Sequence, residues 1–215
     1  MMRFVNKQRL VPVAIGAAFA VVIYLGISLF IVNQALKPEA TNFAFQPGEF
    51  GLTYEDIEFS PRANSSITLR GWWLPHDNAI ATVIFVHDLG HNRAERLPML
   101  NDLHKSGFTV MTFDLRGHGQ SDHAHTGAGF FEQQDVRGAI DFAINKKDVE
   151  DGKLLLMGKG VGAAAALLGG VGEASLAGIY ADSSFATLEE FMTGGIVNPT
   201  PVPMWFAGSF RLGLS

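Results

Sequence analysis

The residues Leu154-Leu155-Leu156-Met157-Gly158-Lys159-Gly160-Val161-Gly162-Ala163-Ala164-Ala165-Ala166-Leu167-Leu168 decide the fold. Four apolar residues run into three alternating glycines and then into a run of small residues. The pattern predicts a buried strand, a very tight turn and a helix held close to the sheet. Two kinds of site use that geometry. One is the turn G-x-S-x-G, which presents a serine nucleophile; its central position here is Gly160. The other is the dinucleotide fingerprint G-x-G-x-x-G/A, which Gly158, Gly160 and Ala163 match as they stand.

Outward from this stretch, short apolar runs alternate with helical patterns. Residues 81–86, 109–113, 153–157 and 176–181 read as buried strands. Residues 94–105 and 132–144 carry apolar side chains at helical spacing. Alternation of this kind predicts a parallel sheet covered on both faces. Before it, residues 56–59 and 67–74 flank a turn containing Pro61, Asn64, Ser65 and Ser66, an antiparallel hairpin pattern. Residues 37–53, with Pro38, Pro47 and Gly48, read as a linker or an extended arm. Beyond Asp182 the pattern fades. A helical turn or two is expected at 188–192, and a short apolar segment at 204–214.

Residues 10–32 are almost wholly apolar and uncharged. As a helix they rise about 35 Å, enough to cross a hydrocarbon core with some tilt. Arg3, Lys7 and Arg9 precede them and Lys37 follows. The positive-inside rule then predicts a single span with its N-terminus in the cytoplasm and the domain outside. A cleaved signal peptide is the rival, but its apolar core is normally shorter, and Asn33-Gln34-Ala35 is a poor cleavage site. The expected organisation is an anchor at 1–36, a linker at 37–53 and a domain at 54–215.

The chain has 215 residues, 47% of them hydrophobic, with a formal net charge of −5 and no cysteine. That suffices for one domain of ordinary size. Mild acidity without a basic stripe argues against a nucleic-acid partner. The lack of cysteine excludes disulfides, thiolate metal sites and a cysteine nucleophile.

The order of motifs resembles the α/β-hydrolase family, and more narrowly its membrane-anchored, serine-aminopeptidase-like serine hydrolases. The residues that carry the resemblance are Gly71-Trp72-Trp73-Leu74-Pro75, Val83-Ile84-Phe85-Val86-His87, the loop from Phe113 through Asp114, Arg116, Gly117 and His118 to Ser121, the elbow, and Tyr180-Ala181-Asp182-Ser183-Ser184-Phe185. It implies an α/β-hydrolase-like parallel sheet with helices on both faces, preceded by a hairpin and a transmembrane helix. The family activity is hydrolysis of an ester, thioester or amide by a serine nucleophile. Carried onto this sequence, the elbow is Gly158, Lys159, Gly160, Val161 and Gly162, with the nucleophile position at Gly160. The oxyanion hole would use backbone N–H groups of Val161 and of Asp88 or Leu89. Asp88 stands where such families usually have glycine, and its side chain is expected to crowd that hole. The family's acid and histidine follow later strands, whereas all seven histidines here precede residue 126. The resemblance therefore implies an inactive member, incomplete at its C-terminus.

Rival readings remain. The first is a non-catalytic binding or scaffold protein that uses the hydrolase pocket for a small ester or amide ligand. The second is a dinucleotide-binding protein through Gly158, Gly160 and Ala163, with Asp182 at the next strand end as the ribose-binding acid. No cofactor or metal is expected on the hydrolase reading. His123 and His125 beside Asp122 form a weak metal pattern, against the commoner solvated loop histidines. His87 and His91 either line a pocket or make structural hydrogen bonds. Asp114, Arg116 and His118 suggest acid, clamp and base, or simply loop architecture. Ser183 and Ser184 are hydroxyls at a strand end without an elbow. Glycine at position 160 would accept the strained backbone of an elbow without steric cost, so the turn can survive without its serine.

Overall fold

The computed structural model describes residues 7–35, 42–147, 149–187 and 190. The turn expected at 188–192 lies largely outside these residues, and the segment at 204–214 wholly so. Helix α1 (Lys7–Ala35) and the sheet domain are separate units. Within α1, Val11–Phe30 has a mean hydropathy of 2.4. It is long and apolar enough to cross a membrane.

The domain is built on β1 (Glu55–Phe59), β2 (Leu69–Leu74), β3 (Ala81–Val86), β4 (Phe108–Phe113), β5 (Leu154–Lys159) and β6 (Leu176–Asp182). They form one sheet in the order β1-β2-β4-β3-β5-β6. The hairpin β1–β2 is antiparallel and joins β4 antiparallel, while β3–β4, β3–β5 and β5–β6 are parallel, as expected. Val86 is in register with both Phe113 and Gly158. The loops after β3, β4 and β5 therefore leave the sheet at one edge.

Alternate residues of the central strands serve two cores. Trp73, Ile84, Val86, Met111, Phe113 and Leu156 pack under α3 (Glu132–Lys147) and α4 (Val161–Gly170). Trp72, Leu74, Phe85 and Val110 pack on the other face with Leu97 and Leu100 of α2 (Leu97–Lys105). Each fully buried Leu or Phe contributes about 1.5–3 kcal/mol of transfer free energy. This period of two is why the strands read as continuous apolar runs.

Two expectations change. The helix expected from residue 94 begins at Leu97, after Arg96 in a left-handed conformation at φ 61. Pro98 is the physical reason: it has no N–H to bond a preceding turn, so it belongs in the first turn of a helix. The stretch read as a linker or arm is fastened to the domain from Phe43 onward. Pro47–Phe50 forms a 3-10 turn, and Phe43, Phe50, Leu52 and Tyr54 pack against the α2-side core.

Candidate functional site

Strand β5 runs through Lys159, and Gly160 alone makes the turn into α4 at φ 53 and ψ −117. That region is nearly closed to residues with a side chain. The flanking glycines allow close approach: a Cβ on Gly162 would lie 2.3 Å from the carbonyl oxygens of Val86 and His87, and one on Gly158 would lie 2.4 Å from that of Gly162. The elbow backbone is thus intact.

Its centre is filled from another loop. A Cβ on Gly160 would lie 2.1–2.3 Å from the carboxylate atoms of Asp88. Asp88 Oδ1 accepts the N–H of Val161 at 2.9 Å and the N–H of Leu89 at 2.8 Å. Val161 and Leu89 are two of the three oxyanion-hole candidates expected from the sequence, and both donate to Asp88 Oδ1. The Asp88 N–H turns away and donates to Glu95 Oε2 at 2.8 Å. Asp88 had been expected to crowd this place; its carboxylate instead occupies it as the acceptor. The favourable field at the start of α4 supports an anion there.

Behind Asp88 lies a pair that the sequence did not reveal. Lys159 Nζ donates to Glu95 Oε1 at 2.5 Å. Burial works against ionisation of Glu95, but Lys159 and the Asp88 N–H outweigh it and hold the carboxyl below its usual range. The two residues are far apart in sequence, and no local spacing rule links them. The orientation of Lys159, open at the sequence level, is set by this ion pair.

The two neighbouring loops brace each other through histidines. His87 Nε2 accepts the Leu115 N–H at 3.0 Å, and its Nδ1 faces the Asp88 carbonyl at 2.7 Å. His118 Nε2 accepts the Gly90 N–H at 3.2 Å, and its Nδ1 faces the Arg116 carbonyl at 2.9 Å. Both rings must be neutral with the proton on Nδ1 to make these bonds. Burial lowers each to about 4; in His118 the neighbouring His87 adds to the effect. Of the readings left open, His87 thus has the structural one. His91 is more exposed and lies 3.9 Å from Glu95.

Asp114, Arg116 and His118 are likewise structural. Arg116 makes a buried bidentate pair with Asp135, with its Nη2 2.6 Å from Oδ1. Among the described residues no cluster of metal-ligating side chains includes His123 or His125. Asp182 is half-exposed, 3.6 Å from Arg96, and its carboxylate accepts the Ser183 hydroxyl at 2.8 Å. Ser184 bonds its hydroxyl weakly to the Phe185 carbonyl at 3.4 Å. Neither serine has a histidine partner among the described residues.

Comparison with known proteins agrees with this architecture. Residues 77–179 match the family described as serine aminopeptidase, S33. The protein YfhR of Escherichia coli O157:H7 is 33% identical over 161 residues, covering 69% of this chain and 55% of that protein. YqkD of Bacillus subtilis is 28% identical over 204 residues, covering 89% of this chain and 66% of that protein. The chain thus spans about half the length of YfhR. Among solved structures, the Pyrococcus furiosus esterase Pf2001 superposes with a TM-score of 0.71 at 25% identity, covering 84% of this chain and 70% of that one. An alpha-beta hydrolase from Vibrio vulnificus gives a TM-score of 0.59 at 18% identity, covering 75% of this chain and 55% of that one. The strand order and these matches support an α/β-hydrolase fold and a resemblance to that family, with residues 77–179 similar to the serine aminopeptidases.

Proposed function

We propose that this protein is a non-catalytic member of the α/β-hydrolase family, with the nucleophile's place held by its own Asp88 carboxylate. The observation that carries this reading is the superposition of two losses at one point. Position 160 offers no hydroxyl, and the Val161 and Leu89 N–H groups are already bonded to Asp88 Oδ1. Acyl transfer by a serine enzyme needs an activated hydroxyl beside a base and free donors for the developing oxyanion. Both requirements are unmet at the elbow. What remains is a rigid scaffold suited to binding.

The same carboxylate weighs against the dinucleotide reading. A pyrophosphate over Gly158, Gly160 and Ala163 would use the α4 N-terminus, and Asp88 meets it there with like charge. The apolar run of α1 and the basic residues Arg3, Lys7 and Arg9 before that run support a single-pass anchor at 1–36 with the domain outside the cytoplasm. Protease protection in oriented vesicles tests that placement, and a domain shielded on the cytoplasmic side refutes it.

The functional test is chemical. The 215-residue chain in detergent should not be labelled by a fluorophosphonate probe and should not turn over p-nitrophenyl esters. Turnover that disappears in Ser183→Ala or Ser184→Ala would move the nucleophile to the end of β6 and refute the non-catalytic reading. NAD binding lost in Asp182→Ala would replace it with the dinucleotide reading.

A further inference from the structure

A cavity lies away from the elbow, where β1, β2 and the arm around Phe43 meet the loops after β3 and β4. It encloses about 340 Å³, and neither Asp88 nor Gly160 lines it. That volume is at the lower end for small-ligand sites.

At its wall is an unusually underbonded arginine. The Arg93 side chain is only 3% exposed. Its guanidinium is held between two aromatic rings, 4.6 Å from the centroid of Phe43 and 4.5 Å from that of Trp72. A guanidinium carries five N–H donors. Among the described residues this one makes a single hydrogen bond, from Nη2 to Gln120 Oε1 at 2.5 Å. Nε is fully buried with no acceptor, and its nearest carboxylate, Asp114, stands at 3.7 Å. Buried donors left unbonded are costly, and a cation more so. Burial accordingly lowers the pKa of Arg93, with Asp114 and Asp56 opposing the shift.

The remaining charges define what would complete it. Arg70 and Glu58, which line the same cavity, are paired with each other at 2.9 Å. Asp56 also lines it and has no ion-pair partner among the described residues. Arg70 also pairs with Asp122 at 3.2 Å, so its charge is met. Arg93 has the Asp114 carboxylate nearby but without a hydrogen bond, so the site presents one cation with unbonded donors and, in Asp56, one carboxylate without an ion-pair partner among the described residues. A simple anion would satisfy Arg93 but face Asp56. A simple cation would do the reverse. We propose that the cavity binds a small zwitterion, with its carboxylate on Arg93 and its ammonium toward Asp56. The rings of Phe43 and Tyr54 offer contacts for an apolar side chain. A free amino acid and the end of a short peptide share this chemistry.

Calorimetric titration of the 215-residue chain in detergent tests the proposal with four probes: L-phenylalanine, glycyl-L-phenylalanine, 3-phenylpropanoate and 2-phenylethylamine. The third lacks the ammonium and the fourth the carboxylate. At least one zwitterion should bind about tenfold more tightly than either singly charged analogue. A preference for phenylalanine supports a free amino acid as ligand, and a preference for the dipeptide supports a peptide end. In Asp56→Asn, an exposed position, the zwitterion should weaken about tenfold while 3-phenylpropanoate binds unchanged or tighter. Arg93→Lys should weaken all three probes that carry a carboxylate; if that variant fails to fold, the Asp56→Asn comparison decides alone. No binding of either zwitterion at about 10 mM, or equal binding of all four probes, overturns the proposal.

Discussion

Two aspartates, Asp88 after β3 and Asp114 after β4, solve the same local problem in opposite settings. Each accepts two backbone N–H groups. Asp114 takes those of Arg93 at 2.7 Å and Gln120 at 2.9 Å; Asp88 takes those of Leu89 and Val161. Each faces a glycine whose Cβ its carboxylate excludes, Gly119 at 2.3 Å for Asp114 and Gly160 at 2.1 Å for Asp88. They differ in surroundings. Asp114 is fully buried and stands near the Arg93 cation, and burial raises its pKa despite that cation. Asp88 is half-buried at the mouth of the elbow, and its Oδ2 has no hydrogen-bond partner among the described residues. One carboxylate knits the loops together; the other occupies a place where, in a serine hydrolase, substrate chemistry happens. A shared bonding pattern thus does structural work at one site and, on the non-catalytic reading proposed above, blocks chemistry at the other.

The largest effect should come from the buried member. Asp114→Ala leaves two backbone donors unbonded and removes the carboxylate nearest Arg93, and breaking a buried pair in this way costs about 3–5 kcal/mol. Asp88→Ala leaves its donors near solvent and should cost about 1–3 kcal/mol. Chemical denaturation of both variants measures the gap, and a reversed order would break the comparison.

Acid should attack both loops through the histidine brace. The folded-state pKa values of His87 and His118 lie near 4, below the ordinary 6.5. Between those values the unfolded chain binds more protons than the folded one, so stability falls as pH falls. The loss begins below about pH 6.5, is complete near pH 4, and is at most on the order of 3 kcal/mol per histidine. Asp135 works against it: burial, opposed by Arg116, raises its pKa to about 6. Its contribution improves as pH falls from about 6 toward the ordinary carboxylate value. The two histidines outweigh it. Their ring resonances in the folded protein should not titrate near pH 6.5, and an ordinary titration of either would break the brace argument.

Next in size is the repaired elbow. In Gly160→Ser the new Cβ meets the Asp88 carboxylate and a strained backbone, which together cost about 1–3 kcal/mol. In an Asp88→Gly background the collision disappears, so the double variant should be more stable than the sum of the single changes predicts. Additivity in that cycle would mean that the two side chains do not compete for one place. The double variant should still lack robust esterase activity, because no histidine stands beside the restored hydroxyl among the described residues.

Much of the sheet was legible because its signals are local. Apolar runs gave the central strands, and the glycine spacing at residues 158–162 gave the strand–turn–helix. The elbow site was only half legible. Gly160 and the crowding at Asp88 follow from motif positions, but a sequence does not say which way a carboxylate turns. Once the Asp88 N–H is taken by Glu95, Oδ1 reaches the two remaining donors. The Glu95–Lys159 pair and the aromatic enclosure of Arg93 join distant elements and leave no periodic trace. Pro98 is a local signal for the later start of α2, because proline fits the first turn of a helix.

The smallest predicted effect separates charge from shape. Asp88→Asn keeps an oxygen that can accept from Leu89 and Val161, so the elbow should stay filled. It removes the negative charge beside the first turn of α4, an interaction typically worth about 0.3–1 kcal/mol. Asp114→Asn also keeps an acceptor, but its amide must place two donors in a fully buried site beside Arg93, which has only donors to offer. That variant should cost at least about 2 kcal/mol. Denaturation curves at low and moderate salt provide the measurement. The Asp88→Asn deficit should shrink as salt screens the half-buried charge, whereas the Asp114→Asn deficit should persist. Equal deficits with equal salt dependence would place the two aspartates in equivalent environments and remove the distinction between loop anchor and occupant of the elbow.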